Sequence, residues 1–256
     1  MSMHAIVLAG GTEDDKWARQ HGVNNKAFLP INNLPMITYV IAALRECPRI
    51  DQIIVVGPVD ALANSLPGDG IQLLPEQGDI IDNVLAAVLE LPQDKKVLIC
   101  TSDIPMLTPE ALDSVFNAVN EREADIYYPI INQVDCERRY PGVKRTYAKL
   151  KNGSFTGGNV LVVNPKQAIP LSRVFRKLVM ERKNPVRMLL TLGLPGIIFV
   201  LQLALGLLTV SELEQRLSRI LRITGAAIYC AYPEIGTDVD KDSDLELARR
   251  ILAAGN

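Results

Sequence analysis

Six short apolar runs decide what this chain can fold into. They are HAIVLA (4–9), DQIIVVG (51–57), KKVLICT (95–101), ADIYYPII (124–131), NVLVVN (159–164) and AAIYCAY (226–232). They lack strict apolar–polar alternation, so they read as strands covered on both faces. Helix signals lie between them. PMITYVIAALREC (35–47) opens with proline, which suits a first helical position. IIDNVLAAVLEL (80–91) follows Gly78. TPEALDSVFNAVNERE (108–123) places Thr108 as N-cap, Pro109 next and Glu110 in the first turn. DSDLELARRILAA (242–254) starts acidic. Strands alternating with helices predict an α/β fold, a three-layer sandwich around a mostly parallel, Rossmann-like sheet. Ligands of such sheets bind at the carboxyl ends of the strands.

The 256 residues suffice for one large core, and we expect a single domain over 1–256 with an apolar helical insert at about 165–225. The net charge of −2 offers no global field for nucleic acid. Cys47, Cys100, Cys136 and Cys230 are widely spaced and form no CxxC pair, which points to reduced thiols in a cytoplasmic protein. MSMHAIVLAGG has no basic n-region and does not read as a signal peptide.

The chemistry gathers at strand ends. LAGG (8–11) closes the first run. Two glycines there either let the backbone N–H groups approach a phosphate or make a plain tight turn. A polar loop then delivers Lys26, whose compact ammonium suits a triphosphate, with Arg19 and Lys16 on the same loop. Asp103, in CTSDIPMLTPEAL, sits just past a strand end. It can hold Mg²⁺, a hard cation that prefers oxygen, or serve as a turn residue. Asp238 and Asp240 lie at i, i+2 and face one side in extended chain, with Asp240 the better metal candidate.

Taken in order, LAGG…K, PMITYVIAAL, TSDIPMLTPEAL, GGNVLVVNP and DVDKDSDLELA resemble the MobA-like NTP transferases, over roughly residues 3–165 and 225–254. The resemblance implies a GT-A-type nucleotide-diphospho-sugar transferase fold. It also implies Mg²⁺-dependent transfer of NMP from an NTP to a small phosphorylated acceptor, with release of pyrophosphate. Leu8, Ala9, Gly10 and Gly11 would cradle the triphosphate, Lys26 would neutralise it, and Arg19 would add charge. Ser102 and Asp103 would lie at the nucleotide, with Lys26 and Asp103 catalytic. Asp103 and Asp240 would bind the metal. Gly78 and Asn83 match the segment that contacts the base, and Gly158 and Asn159 lie where the acceptor would be held. One departure stands out: Glu13, Asp14 and Asp15 occupy the region where the family usually has an arginine.

ERRYPGVKRTYAKLKNGSFTGGN (137–159) is basic, and reads either as an exposed hairpin turning at KNG or as an acceptor lid using Lys144 and Arg145. Residues 164–185 read as a basic helix region, and 211–225 as an amphipathic helix with Ser211 as cap and Gly225 as stop. Between them, MLLTLGLPGIIFVLQLALGLLTV (188–210) carries no charge and is long enough to cross a bilayer. A single crossing would put Asp103 and Asp240 on opposite sides, so no span is expected. GLPG (193–196) breaks the run and leaves 197–208 as a helix buried within the chain or in a homodimer contact; a greasy acceptor wall or a peripheral membrane contact are the alternatives. Two other functions stay open: a nucleotide-binding regulatory protein without catalysis, and a membrane-associated transferase acting on a lipid or isoprenoid phosphate.

Overall fold

A computed structural model describes residues 1–11, 15–181, 198–199 and 201–254. Its strands are β1 (Met3–Leu8), β2 (Pro30–Ile31), β3 (Leu34–Pro35), β4 (Ile50–Val56), β5 (Ile71–Leu74), β6 (Val97–Thr101), β7 (Ile126–Asn132), β8 (Ala148–Leu150), β9 (Gly153–Gly157), β10 (Val160–Val163) and β11 (Gly225–Tyr229). Its helices are α1 (Lys16–Gln20), α2 (Met36–Glu46), α3 (Val59–Ser65), α4 (Ile80–Glu90), α5 (Pro109–Asn120), α6 (Gln133–Arg139), α7 (Ala168–Glu181), α8 (Val210–Leu221) and α9 (Asp242–Ala254).

One mixed sheet runs β5-β4-β1-β6-β10-β7-β9-β8, with β11 also paired to β7. β5, β4, β1 and β6 are parallel; β10 is antiparallel to both β6 and β7, and β11 is parallel to β7. The carboxyl ends of β1, β4, β6, β7 and β11 therefore share one edge.

The unbroken apolar runs serve two faces. Ala5, Val7, Ile53, Val55, Leu98 and Cys100 pack on one side with Leu44 of α2 and Phe116 of α5. Ile6, Ile54, Val56, Val97 and Ile99 pack on the other with Val88 of α4 and Leu171 of α7. Successive side chains of a strand point to opposite faces, so each run had to be apolar throughout. Each Val, Leu, Ile or Phe side chain among these, taken fully out of water, contributes roughly 1.5–3 kcal/mol. A third cluster joins Leu29, Ile31 and Met36 to Val239 and Leu245. It seats α9 beside the turn that carries Lys26.

The helix signals fall where expected. Thr108 caps α5 by accepting from the Ala111 N–H, and Asp242 and Asp244 open α9. In the 137–159 segment a hairpin, β8–β9, turns at Lys151 and Asn152, and Gly153, paired with Leu150, opens β9 at φ +141°. β5 and α6 escaped the sequence reading because each is short and mostly part-buried or exposed.

Three expectations need correction. The cap of α8 is Thr209, not Ser211: it forms a capping box with Glu212, the residue three places on. The stop of α8 is Arg222, in the left-handed conformation at φ 55°, while Gly225 is already the first residue of β11. The buried helix over 197–208 is not buried on every side within the chain. Residues 198–199 and 201–204 are helical and the chain turns at Gly206 (φ +67°). Phe199 is buried, but Ile198, Leu201 and Leu205 are exposed at 46%, 57% and 69%. Residues 188–197 and 200 of the uncharged stretch, GLPG included, lie outside the described residues, as do Glu13 and Asp14. Among the described residues no helix is long and apolar enough to cross a membrane.

Candidate active site

The strand edge that collects the carboxyl ends also collects the charged residues. β1 delivers Ala9, Gly10 and Gly11. Their loop is tied down by Asn25, whose Nδ2 donates to the Ala9 carbonyl at 2.7 Å. The same side chain accepts from the Ala27 N–H at 2.8 Å and caps the short helical turn Lys26–Phe28. One residue thus fixes both halves of the expected phosphate site: the glycine loop and the lysine. Ser102 follows β6, and its N–H donates to the Leu8 carbonyl at 3.1 Å.

Lys26 points into a carboxylate cluster. Its Nζ lies 2.6 Å from Asp103 Oδ2 and 2.5 Å from Asp240 Oδ1. Oxygens of Asp103, Asp238 and Asp240 lie within 4.8 Å of one another. Asp103 also accepts from the Thr101 hydroxyl through its other oxygen. Burial, then the adjacent Asp240 carboxylate, pushes the Asp238 carboxyl up to about 6. Burial opposes the charge of Asp240 as well, but the Lys26 ammonium outweighs it and holds that carboxyl below its ordinary value. Burial likewise disfavours the charge on Lys26, and the Asp103 carboxylate overcomes it, raising the lysine.

Three carboxylates presenting only oxygen form a donor set suited to a hard divalent cation such as Mg²⁺. The sequence ranked Asp240 above Asp238, yet the structure brings both to Asp103. The i, i+2 spacing already carried that signal. Thr101 and Asn25 were missed, because a strand-end threonine and a loop asparagine look ordinary until their partners are seen.

The other expected residues spread around this centre. Asn83 is buried, and its Oδ1 accepts from the Gln77 N–H at 2.6 Å, so it shapes the 75–79 loop that contains Gly78. Arg19 sits on the exposed side of α1. Lys144, Arg145, Gly158 and Asn159 line a polar cavity of about 430 Å³ together with Asp238 and Asp240. Arg145 donates to the Gly236 carbonyl. The Asn159 N–H donates to the Ile235 carbonyl at 2.6 Å. A Cβ on Gly236 would stand 2.8 Å from Ile131 Cδ1 and 3.0 Å from the Gly157 carbonyl oxygen, so a larger residue would push these two loops apart.

Comparison with known proteins accords with this architecture. The model of the MobA-like NTP transferase domain matches residues 5–189. A hypothetical transferase from Thermus thermophilus superposes with a TM-score of 0.84 at 36% identity, covering 96% of this chain and 100% of that one. The 2-C-methyl-D-erythritol 4-phosphate cytidylyltransferase of Clostridium perfringens is 40% identical over 58 residues, 23% of this chain. That match spans only 24% of the cytidylyltransferase's length. The 4-diphosphocytidyl-2C-methyl-D-erythritol synthase of Anaerococcus prevotii has a TM-score of 0.60 at 10% identity over 98% of this chain and 96% of that one, a likeness of fold alone. With its family model matched over most of the chain and its strand-end glycines, lysine and carboxylates gathered at one edge, this chain belongs to the MobA-like NTP transferase family.

Proposed function

We propose that this protein is a Mg²⁺-dependent nucleotidyltransferase, acting as one domain over 1–256. It would move NMP from an NTP to a small phosphorylated acceptor and release pyrophosphate. The observation that carries the reading is Lys26 held between Asp103 and Asp240 beside the Gly10–Gly11 loop. Such a lysine can leave its carboxylates for a triphosphate, while the carboxylates are left to a cation.

The acceptor phosphate is already ionised, so no protein nucleophile is needed. Its oxygen bonds to the α-phosphorus as the bond from that phosphorus to the β-phosphate's bridging oxygen breaks. The chain's task is positioning and charge stabilisation. Backbone N–H groups at Gly10 and Gly11 orient the β- and γ-phosphates. The Lys26 ammonium offsets charge on the equatorial and leaving oxygens. Asp103 and Asp240, with Asp238 beside them, would hold Mg²⁺, which supplies Lewis-acid stabilisation of the phosphate oxygens. The loop shaped by Asn83 and Gly78 would face the base. Arg19 would approach the phosphates, and Lys144 and Arg145 with Gly158 and Asn159 would receive the acceptor's phosphate.

The test is a pyrophosphate-release screen of the four common NTPs against sugar, polyol and pterin phosphates, with and without EDTA. Asp103→Ala and Lys26→Ala should lose several orders of magnitude in turnover with the fold intact. Nucleotide binding with no pyrophosphate release from any pair would instead identify a regulatory nucleotide-binding protein.

A further inference from the structure

A second cavity, of about 650 Å³, shares a wall with the polar one. Tyr128, Thr156, Gly157, Gly158 and Asn159 line both. Beyond that wall the lining is almost wholly apolar. Ile126, Tyr128 and Ile130 project from alternate positions of β7, while Tyr127 and Ile131 face the opposite core. Small residues on the adjoining strand, Gly225 and Ala227, leave this face unfilled. Leu213 and Leu217 of α8 form the roof. Leu217 is 39% exposed, so it stands at the rim.

A volume of this size, apolar with polar groups at one end, is the ordinary form of a small-molecule site. Its polar end abuts Lys144, Arg145 and the carboxylate cluster. A ligand filling both cavities must carry a phosphate at one end and hydrocarbon at the other. We infer that the acceptor is a phosphate monoester of a single aliphatic or prenyl chain, with its chain in the β7–α8 cavity and its phosphate in the polar one. This rests on the nucleotidyltransferase reading, and the product would be a nucleoside diphosphate esterified to that chain, formed with release of pyrophosphate.

Calorimetric titration of the full chain with butyl, hexyl and octyl phosphate in Mg²⁺ tests it. Each buried methylene should tighten binding about fourfold, so each two-carbon step should gain about 15-fold. Leu217→Glu places a carboxylate at the rim and should flatten this gradient, whereas Leu217→Met should keep it. Ala227→Leu fills the cavity from the sheet side without new charge and should flatten it too. No gradient in the unaltered protein overturns the inference. If sugar phosphates support pyrophosphate release while chain length has no effect, the inference fails and the transferase reading survives. A gradient lost in both cavity variants, with no pyrophosphate release from any pair, keeps the apolar site and removes the transferase reading.

Discussion

The Val239 N–H donates to the Asp103 carbonyl at 2.9 Å. This one backbone bond registers the loop after β6 to the loop before α9. It sets Asp238 and Asp240, on either side of Val239, against Asp103. Val239 itself is fully buried with Leu29, Met36 and Leu245, so packing anchors the same loop from below. The carboxylate cluster is therefore held by backbone and core, and Lys26 satisfies it electrostatically while no nucleotide is bound.

That arrangement predicts competition between Lys26 and a divalent cation. Lys26→Ala leaves three carboxylates within 4.8 Å of one another with no ammonium between them. In EDTA the variant should melt below the unaltered protein, by about 2–4 °C for each kcal/mol lost. Saturating Mg²⁺ should raise the melting temperature of the variant more than that of the unaltered protein, because no ammonium must be displaced. Thermal melts with and without Mg²⁺ check this. Equal Mg²⁺ shifts in the two proteins would show that cation and lysine do not share the site.

Gly57 follows β4, beside the end of β1. A Cβ there would lie 2.9 Å from the Ala9 carbonyl oxygen and 3.1 Å from its carbon. These are backbone atoms and cannot rotate away. Ala9 is also held by its own N–H bond to Val56 and by Asn25 on its carbonyl. Gly57→Ala should cost about 1–3 kcal/mol in urea unfolding. The strain falls on the segment that leads into Gly10, so turnover should fall as well. A variant as stable and as active as the parent would mean that the loop yields freely.

How legible was all this in the sequence? The central strands were, because Ala5 and Ile6, or Leu98 and Ile99, each feed opposite cores and so leave an unmistakable apolar run. Thr108 and Asp242 were, because a side-chain cap and an acidic first turn are both local signals. Asp103 was readable as a strand-end carboxylate, Lys26 as a lysine delivered by a polar loop and Asp240 as one of an i, i+2 acidic pair, although their mutual contact was not. It depends on the Val239–Asp103 bond between residues far apart in the chain. The ends of α8 were misread because Ser211 and Thr209 are both competent caps, and only the reach of Glu212 back to the Thr209 N–H at 2.8 Å decides between them. The apolar cavity was invisible, since it arises from small residues on β11 facing β7 across strand pairing.

Asn83 offers a test of loop shaping apart from catalysis. Its Oδ1 is the acceptor for the Gln77 N–H at 2.6 Å, and the side chain is buried. Asn83→Ala leaves that N–H without its partner, at a cost of about 1–3 kcal/mol. The loop through Gly78 should loosen, raising KM for the nucleotide much more than it lowers kcat. Steady-state kinetics across NTP concentrations would reveal the split. A fall in kcat at unchanged KM would place Asn83 at the reacting phosphates instead.

His4 supplies a pH dependence remote from the carboxylate cluster. It lies in β1, buried, and among the described residues neither ring nitrogen has a hydrogen-bond partner. Burial is the main reason its pKa falls below the ordinary 6.5, with Asp51 pulling the other way and Lys95 adding to the drop. In the unfolded chain His4 takes up its proton near pH 6.5; in the folded protein it does so only at lower pH. Between those two points the unfolded state binds more protons, so stability must rise with pH there. The contribution of His4 is complete above pH 6.5 and is lost as pH falls through the folded value. His4→Leu removes the ring and should flatten that part of the profile. Urea midpoints at about pH 7.5 and about pH 5.5 should therefore drop more for the unaltered protein than for His4→Leu. An equal drop would mean that His4 reaches water and protonates in the folded state as readily as in the unfolded one.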